Sequence, residues 1–124
     1  MPNHKKVEWL LRVGVAGEFL GHGILAINGK EDWVNWIVQL AGVEAGTAAS
    51  LLTLIGTIDV VVAGIVLLKP LSPVLLWAAF WGFSTALVRP LIGQPIWDFV
   101  ERSANWAAPL ALFYFYRAHK NRHE

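Results

Sequence analysis

Gly46-Thr-Ala-Ala-Ser-Leu-Leu-Thr-Leu-Ile-Gly-Thr-Ile-Asp59-Val-Val-Val-Ala-Gly-Ile-Val-Leu-Leu68 is an apolar run broken chemically only by Asp59 and by small or hydroxyl residues. A helix needs ~20 such residues, at ~1.5 Å each, to cross ~30 Å of hydrocarbon, and this stretch meets that length. Outward from it, Lys69-Pro-Leu-Ser-Pro73 ends the run as a tight connection, because proline cannot continue a helix and readily starts one. Val74 to about Ile92 forms a third span, and Gly93-Gln94-Pro95 a second short turn. Ile96 to about Tyr116 forms a fourth span, with Asp98, Glu101, Arg102 and Asn105 in its first turns.

Upstream, Val7 to about Ile27 forms the first span, preceded by a short mobile lead of residues 1–6. Gly14, Gly17 and Gly21 give it a small-residue strip on which another helix can approach closely. Asn28-Gly29-Lys30-Glu31-Asp32 is a turn signal, with Asp32 placed to cap the next helix. Trp33, Trp36, Ile37, Leu40 and Val43 then recur at the spacing of one helical stripe. Residues 32–43 are too few to span, so the expectation is an amphipathic helix lying in the headgroup region. The expected fold is therefore all-α: one domain over residues 1–124, an integral membrane four-helix bundle with a short interfacial helix between spans one and two.

Composition supports a bilayer as solvent. Hydrophobic residues make up 56% of the 124-residue chain and charged residues 15%, against about 45–50% and about 25% in globular domains. A small soluble fold keeps too much of its surface wet to hide that much apolar side chain. The net charge of +1, with basic groups concentrated at the termini, argues against a nucleic-acid partner. Zero cysteines exclude disulfide exchange, thiolate nucleophiles, iron–sulfur clusters and thiolate metal sites. Lys5 and Lys6 before an apolar run resemble the start of a signal peptide, but Arg12, Glu18 and His22 interrupt it, so an uncleaved first span is expected. Four spans put both termini on one side, the side that collects Lys5, Lys6, Lys69, Arg117, Lys120 and Arg122. The positive-inside rule makes that side the cytoplasm, and a bacterial inner membrane is the expected location.

Orientation converts position into depth. Glu18 falls about 16 Å and His22 about 22 Å above the cytoplasmic edge, and Asp59 about 20 Å below the outer edge. Arg89 comes about 22 Å up the third span, and Glu101 to Asn105 roughly 8–14 Å below the outer edge. Glu18 and His22 leave one helical face a turn apart. Asp98, Glu101, Arg102, Asn105 and Pro109 make a polar stripe on the fourth helix. An isolated charge at the bilayer centre costs about 2.5–3.5 kcal/mol. Glu18, His22, Asp59, Arg89, Glu101, Arg102 and Asn105 are therefore expected to face inward, pairing around a polar pocket open to the outer face.

Such a set can handle protons, with Glu18, His22 and Asp59 serving a bound quinol. Arg89 and Arg102 can orient a carbonyl, an oxyanion or a lipid phosphate. The plainer reading is a polar network that only holds the helices in register. Di-metal centres in helix bundles use about four carboxylates and two histidines, and His22 is the one membrane-embedded histidine, so metal and haem are disfavoured. Trp77, Trp81 and Trp106 are the deeper tryptophans, candidates to line a pocket; Trp9, Trp33, Trp36 and Trp97 fall near predicted membrane edges as anchors. His4, His119 and His123 lie in the tails, where no function is expected. No catalytic residue is assigned.

Arg12, Glu18-Phe19, His22-Gly23 and the pattern Gly56-x-x-Asp59-x-x-x-x-Gly64-x-x-Leu67, in a four-span chain with short connections, resemble the DoxX-like membrane proteins. The resemblance implies a four-helix membrane bundle with Arg12, Glu18, His22, Gly23 and Asp59 as its shared core. Some DoxX-like proteins are subunits of quinone-linked oxidoreductases such as thiosulfate:quinone oxidoreductase. Quinone is thus the ligand implied, although a chain without cysteine cannot perform thiol-based sulfur chemistry. Three functions remain open: a redox-associated or quinone- and lipophile-binding subunit, a non-catalytic accessory subunit of a larger membrane complex or homo-oligomer, and a small transporter or lipophile carrier.

Overall fold

The computed structural model describes residues 3–123, with the side chains of residues 4–118. Every element among them is helical: α1 (Asn3–Ile27), α2 (Glu31–Ala41), α3 (Ala45–Leu68), α4 (Ser72–Leu91), α5 (Ile96–Glu101) and α6 (Ala104–His123). Three of these, α1, α3 and α4, are long and apolar enough to cross a membrane. Their outward faces carry Leu10, Val13, Leu54, Val61, Phe80 and Leu91, each more than half exposed. An apolar surface of that extent is stable against lipid or partner chains and aggregates in water.

The expected boundaries need four corrections. α1 starts at Asn3, so Lys5 and Lys6 belong to the helix rather than to a mobile lead; lysine is a good helix former and its charge stays in solvent. Asp32 does not cap α2, whose N-cap is Lys30 without a side-chain hydrogen bond. Glu31 and Asp32 instead sit in the first turn, where the helix dipole favours negative charge. The expected fourth span over residues 96–116 is two helices. The chain tightens at Arg102 and Ser103, whose amides donate to Phe99 O and Val100 O at 3.2 Å each. The Ser103 hydroxyl also donates back to Val100 O at 2.7 Å, a local bond that competes with helix continuation. The polar stripe is split with it: Asp98 and Glu101 stand on α5, Asn105 and Pro109 on α6. Finally, His4 lies inside α1 rather than in a tail, whereas the side chains of His119 and His123 lie outside the described residues.

α1 packs most extensively on α3 and also on α6, α4 packs on α6, α2 rests on α3, and α5 on α4. The buried centre is apolar and draws on four helices, with Val15, Phe19, Val62, Val66, Leu75 and Leu112 among its members. Close backbone approach happens at two places. Gly23 and Gly56 face each other so tightly that a Cβ on Gly56 would stand 2.6 Å from Gly23 O, and one on Gly23 2.8 Å from Gly56 O. A Cβ on Gly82 would likewise collide with the carbonyl of Asn105. The strip expected to serve this purpose does not: around Gly14, Gly17 and Gly21 nothing lies within 4 Å of the added Cβ.

Arg12 locks the other end of the α1–α3 pair. It is buried, and its Nε donates to Val66 O at 3.0 Å while Nη2 donates to Leu67 O. Those carbonyls belong to the last turn of α3, which has no helical partner for them and carries the negative end of the dipole. Trp9 covers the guanidinium from the same helix, 3.9 Å from its ring centroid to Cζ. Together with Gly23 against Gly56, the clamp sets α1 and α3 antiparallel.

Candidate functional site

A half-enclosed cavity of about 130 Å³ lies near the end of the molecule that carries the α1–α2 and α4–α5 connections. One helix contributes each wall. α1 supplies His22, and α2 supplies Trp33 and Trp36 with Ile37 and Leu40. α3 supplies Asp59 and Ile55, and α4 supplies Trp81, Thr85, Val88 and Arg89. On α4 the lining residues fall one turn apart, at Trp81, Thr85 and Arg89, so a single face of that helix makes the wall. The lining is mostly apolar and aromatic with a few polar groups converging on it, the usual constitution of a small-molecule site.

Local sequence holds the polar members in place. Pro90 has no amide hydrogen and frees the Ala86 carbonyl, and α4 ends one residue later at Leu91. Arg89 thus occupies the last turn, where the helix dipole favours a cation. Its Nη1 donates to the Thr85 carbonyl, and the Trp36 ring lies 5.0 Å from Cζ. The His22 ring packs at 5.4 Å and 49° on Trp33, and Trp81 stacks on Trp77 at 5.5 Å and 12°. Trp33 and Trp36, expected as membrane-edge anchors, are half-buried and form the α2 wall.

Two polar atoms on the lining residues have no hydrogen-bond partner in the protein: Oδ1 of Asp59 and Nε of Arg89. Both side chains are 4% exposed. Leaving such a group unpaired costs about 1–3 kcal/mol, more for a charged one. Asp59 and Arg89 do not satisfy each other, and Arg102 pairs with its sequence neighbour Glu101 at 2.7 Å.

The other expected members are distributed around this centre. Glu18 is half-buried within electrostatic reach of Asp59, but it does not line the cavity. Glu101 is exposed, and Arg102 is half-buried with its Nη1 shared between Glu101 and the Asp98 carbonyl at 3.2 Å. Arg102 and Lys30 nonetheless act electrostatically on His22, and Asp98 and Glu101 on Arg89, so α5 forms a charged rim. Asn105 turns its backbone toward Gly82 rather than toward the cavity. Trp77 is exposed behind Trp81, and Trp106 packs edge-on against Phe83 at 5.8 Å. Instead of one inward network of ion pairs, the residues make a cavity with unpaired polar walls and a separate rim.

Trp33, Trp36 and Thr85 are lining residues that sequence reasoning did not single out as such. The stripe of α2 was visible; its docking over His22 and Arg89 was not, because that depends on the turn at Asn28 and Gly29. A second, wider cleft of about 540 Å³ lies on the far side of α2, between Asp32, Asn35, Gln39 and the turn at Gly93 and Gln94. Trp36 borders both spaces. Among the described residues no three histidine or carboxylate side chains gather in metal-ligating geometry.

Fold and site together define a class: a small all-helical chain with three helices fit to cross a membrane and an aromatic cavity near one end. Comparison with protein-family models, with curated proteins and with solved structures gives no match.

Proposed function

We propose that this chain is a small integral membrane protein that holds the ring of a lipophilic molecule, of the quinone or quinol class, in the cavity between α1, α2, α3 and α4. The supporting observation is the convergence of His22, Asp59 and Arg89 with Trp33, Trp36 and Trp81 on one half-enclosed, mainly apolar space. An apolar cavity of ~150 Å³ accommodates a benzene-sized ring, so about 130 Å³ suits a single ring, with any tail leaving through the open side. Asp59 and Arg89 are the charged side chains of the lining available to the ring's polar substituents. Thr85 and His22 lie in the same wall and complete its polar equipment.

In this reading α6 is the fourth span of a four-helix membrane bundle, and α2 lies amphipathically at the membrane surface as the cavity's cover. Lys5, Lys6, Lys69 and Arg117 mark the opposite end as cytoplasmic, in the inner membrane of a bacterium. The likeness to DoxX-like proteins, carried by Arg12, Glu18, His22, Gly23 and Asp59, belongs to this proposal and points to a redox-associated subunit. Native mass spectrometry of the protein extracted from its own membrane tests it. A retained lipophile of single-ring head, lost on Trp36→Ala, supports the reading; protein that emerges without any small molecule and fails to take up added quinol sinks it.

A second reading is favoured by the unfilled strip at Gly14, Gly17 and Gly21: an accessory subunit whose α1 receives a helix of a larger partner. The same mass spectrum reports that partner as added protein mass.

A further inference from the structure

α2 is tied down differently from the other walls of the cavity. α1, α3 and α4 each bury several side chains, whereas no residue of α2 is fully buried. Its packing on α3 is supplemented by two ring contacts, His22 with Trp33 at 5.4 Å and Arg89 with Trp36 at 5.0 Å. The other flank of α2, with Asp32, Asn35 and Gln39, borders the cleft of about 540 Å³, so that side offers room for the helix to shift. A glycine stands at each end: Gly29 has φ 73°, and Gly42, the C-cap, φ 68°, in a region that glycine enters without steric cost. A Cβ added to either would meet nothing within 4 Å, so neighbours wedge neither position. Residues at element ends that absorb a dihedral change are the usual hinges of a lid.

We infer that α2 is a lid: it swings as an intact helix about Gly29 and Gly42, carries Trp33, Trp36, Ile37 and Leu40 off the cavity, and opens that space into the cleft. Trp36 borders both spaces, so its departure is what joins them. Closing restores the ring contacts on His22 and Arg89. These hold the lid without fixing it, since one contact of either kind shifts the closed-to-open ratio by about two- to thirtyfold. The motion depends on no particular occupant of the cavity, so its test is independent of the ring-binding reading.

Gln39 and Gln94 line the cleft from α2 and from the turn after α4, and the chain has no cysteine of its own. Gln39→Cys with Gln94→Cys therefore places two spin labels at defined sites. Pulsed electron-resonance distances on the full chain in lipid nanodiscs should show two populations at least about 3.5 Å apart, the thickness of one aromatic ring. Leu54→Cys with Phe80→Cys, on the outward faces of α3 and α4, should show one. Trp36→Ala removes one ring contact and should raise the weight of the displaced population at least about twofold. If that variant is not recovered folded, Trp33→Ala removes the other contact and should do the same. Amide hydrogen exchange separates a moving helix from a melting one: the interior of α2 should stay protected while the residues around Gly29 and Gly42 exchange fast. One unchanged distance distribution in the native chain and the ring-contact variant overturns the inference, as do two populations in the α3–α4 pair or fast exchange along the whole of α2.

Discussion

The backbone carbonyl of Asn105 lies against Gly82, in the space that any side-chain Cβ at that position would occupy. Pro109, four residues on, has no amide hydrogen to offer this carbonyl, so the helix itself leaves it free. The contact brings α4 and α6 together beside the break that separates α5 from α6. Gly82→Ala should force the two helices apart and lower stability by about 1–3 kcal/mol. Thermal unfolding in detergent, followed by helical circular dichroism, checks this; an unchanged midpoint refutes it.

The glycines of α1 should divide into two groups. Gly23→Ala places a Cβ 2.7 Å from a Val60 methyl and 2.8 Å from Gly56 O, and should destabilise the chain. Gly14→Ala, Gly17→Ala and Gly21→Ala meet nothing within 4 Å, and each should stabilise the isolated protein by up to about 1 kcal/mol through helix propensity. If instead the outer three substitutions impair function in the cell while raising stability in vitro, they are blocking a partner helix. That combination would decide for the accessory-subunit reading.

Arg12 should be intolerant even of lysine. Its two nitrogens reach two successive carbonyls of α3, and a lysine offers a single point charge without the planar fork. Arg12→Lys is expected to cost about 1–3 kcal/mol by leaving a buried carbonyl unpaired, and Arg12→Met more. Protease resistance near Leu67 and Leu68 measures the fraying of α3 directly.

Trp36 separates the cavity from the neighbouring cleft and covers Arg89. Trp36→Ala should join the two spaces, remove a cation–π contact of about 0.5–2 kcal/mol, and weaken ring binding severalfold or more. Trp97→Ala, at a residue 71% exposed, should leave binding unchanged and serves as the control.

Glu101 and Arg102 form an ion pair at the surface, with side chains 64% and 32% exposed. Pairs of this kind contribute about 0–1 kcal/mol. Glu101→Gln should therefore change thermal stability by less than about 1 kcal/mol on that scale, in contrast with the loss expected had it faced inward. A large drop in the unfolding midpoint would mean that Glu101 has a buried partner.

The chain by itself states the elements and which of them are apolar enough to cross a membrane. Runs such as Gly46 to Leu68 are long enough and apolar enough that α1, α3 and α4 can be read from length and composition, because hydrogen bonding within one helix is the simplest solution for a backbone in an apolar medium. Prolines and glycines punctuate them locally, and the stripe of α2 repeats at helical spacing whatever it packs on. Asp59, Arg89 and His22 stand out for a similar reason: a polar group in such a run is expensive.

Tertiary structure decided which of those groups meet. Glu101 and Arg102 share the composition of a buried network, yet the turn at Arg102 and Ser103 puts them on the rim. Gly14, Gly17 and Gly21 have the spacing of a helix contact, but Arg12 on the α3 carbonyls and Gly23 on Gly56 rotate α1 so that the strip faces outward. Trp33 and Trp36 close over His22 and Arg89 because the connection after Ile27 folds α2 back on α3. Spacing along one helix settles which residues share a face; where that face points depends on contacts between helices that no single stretch of sequence contains.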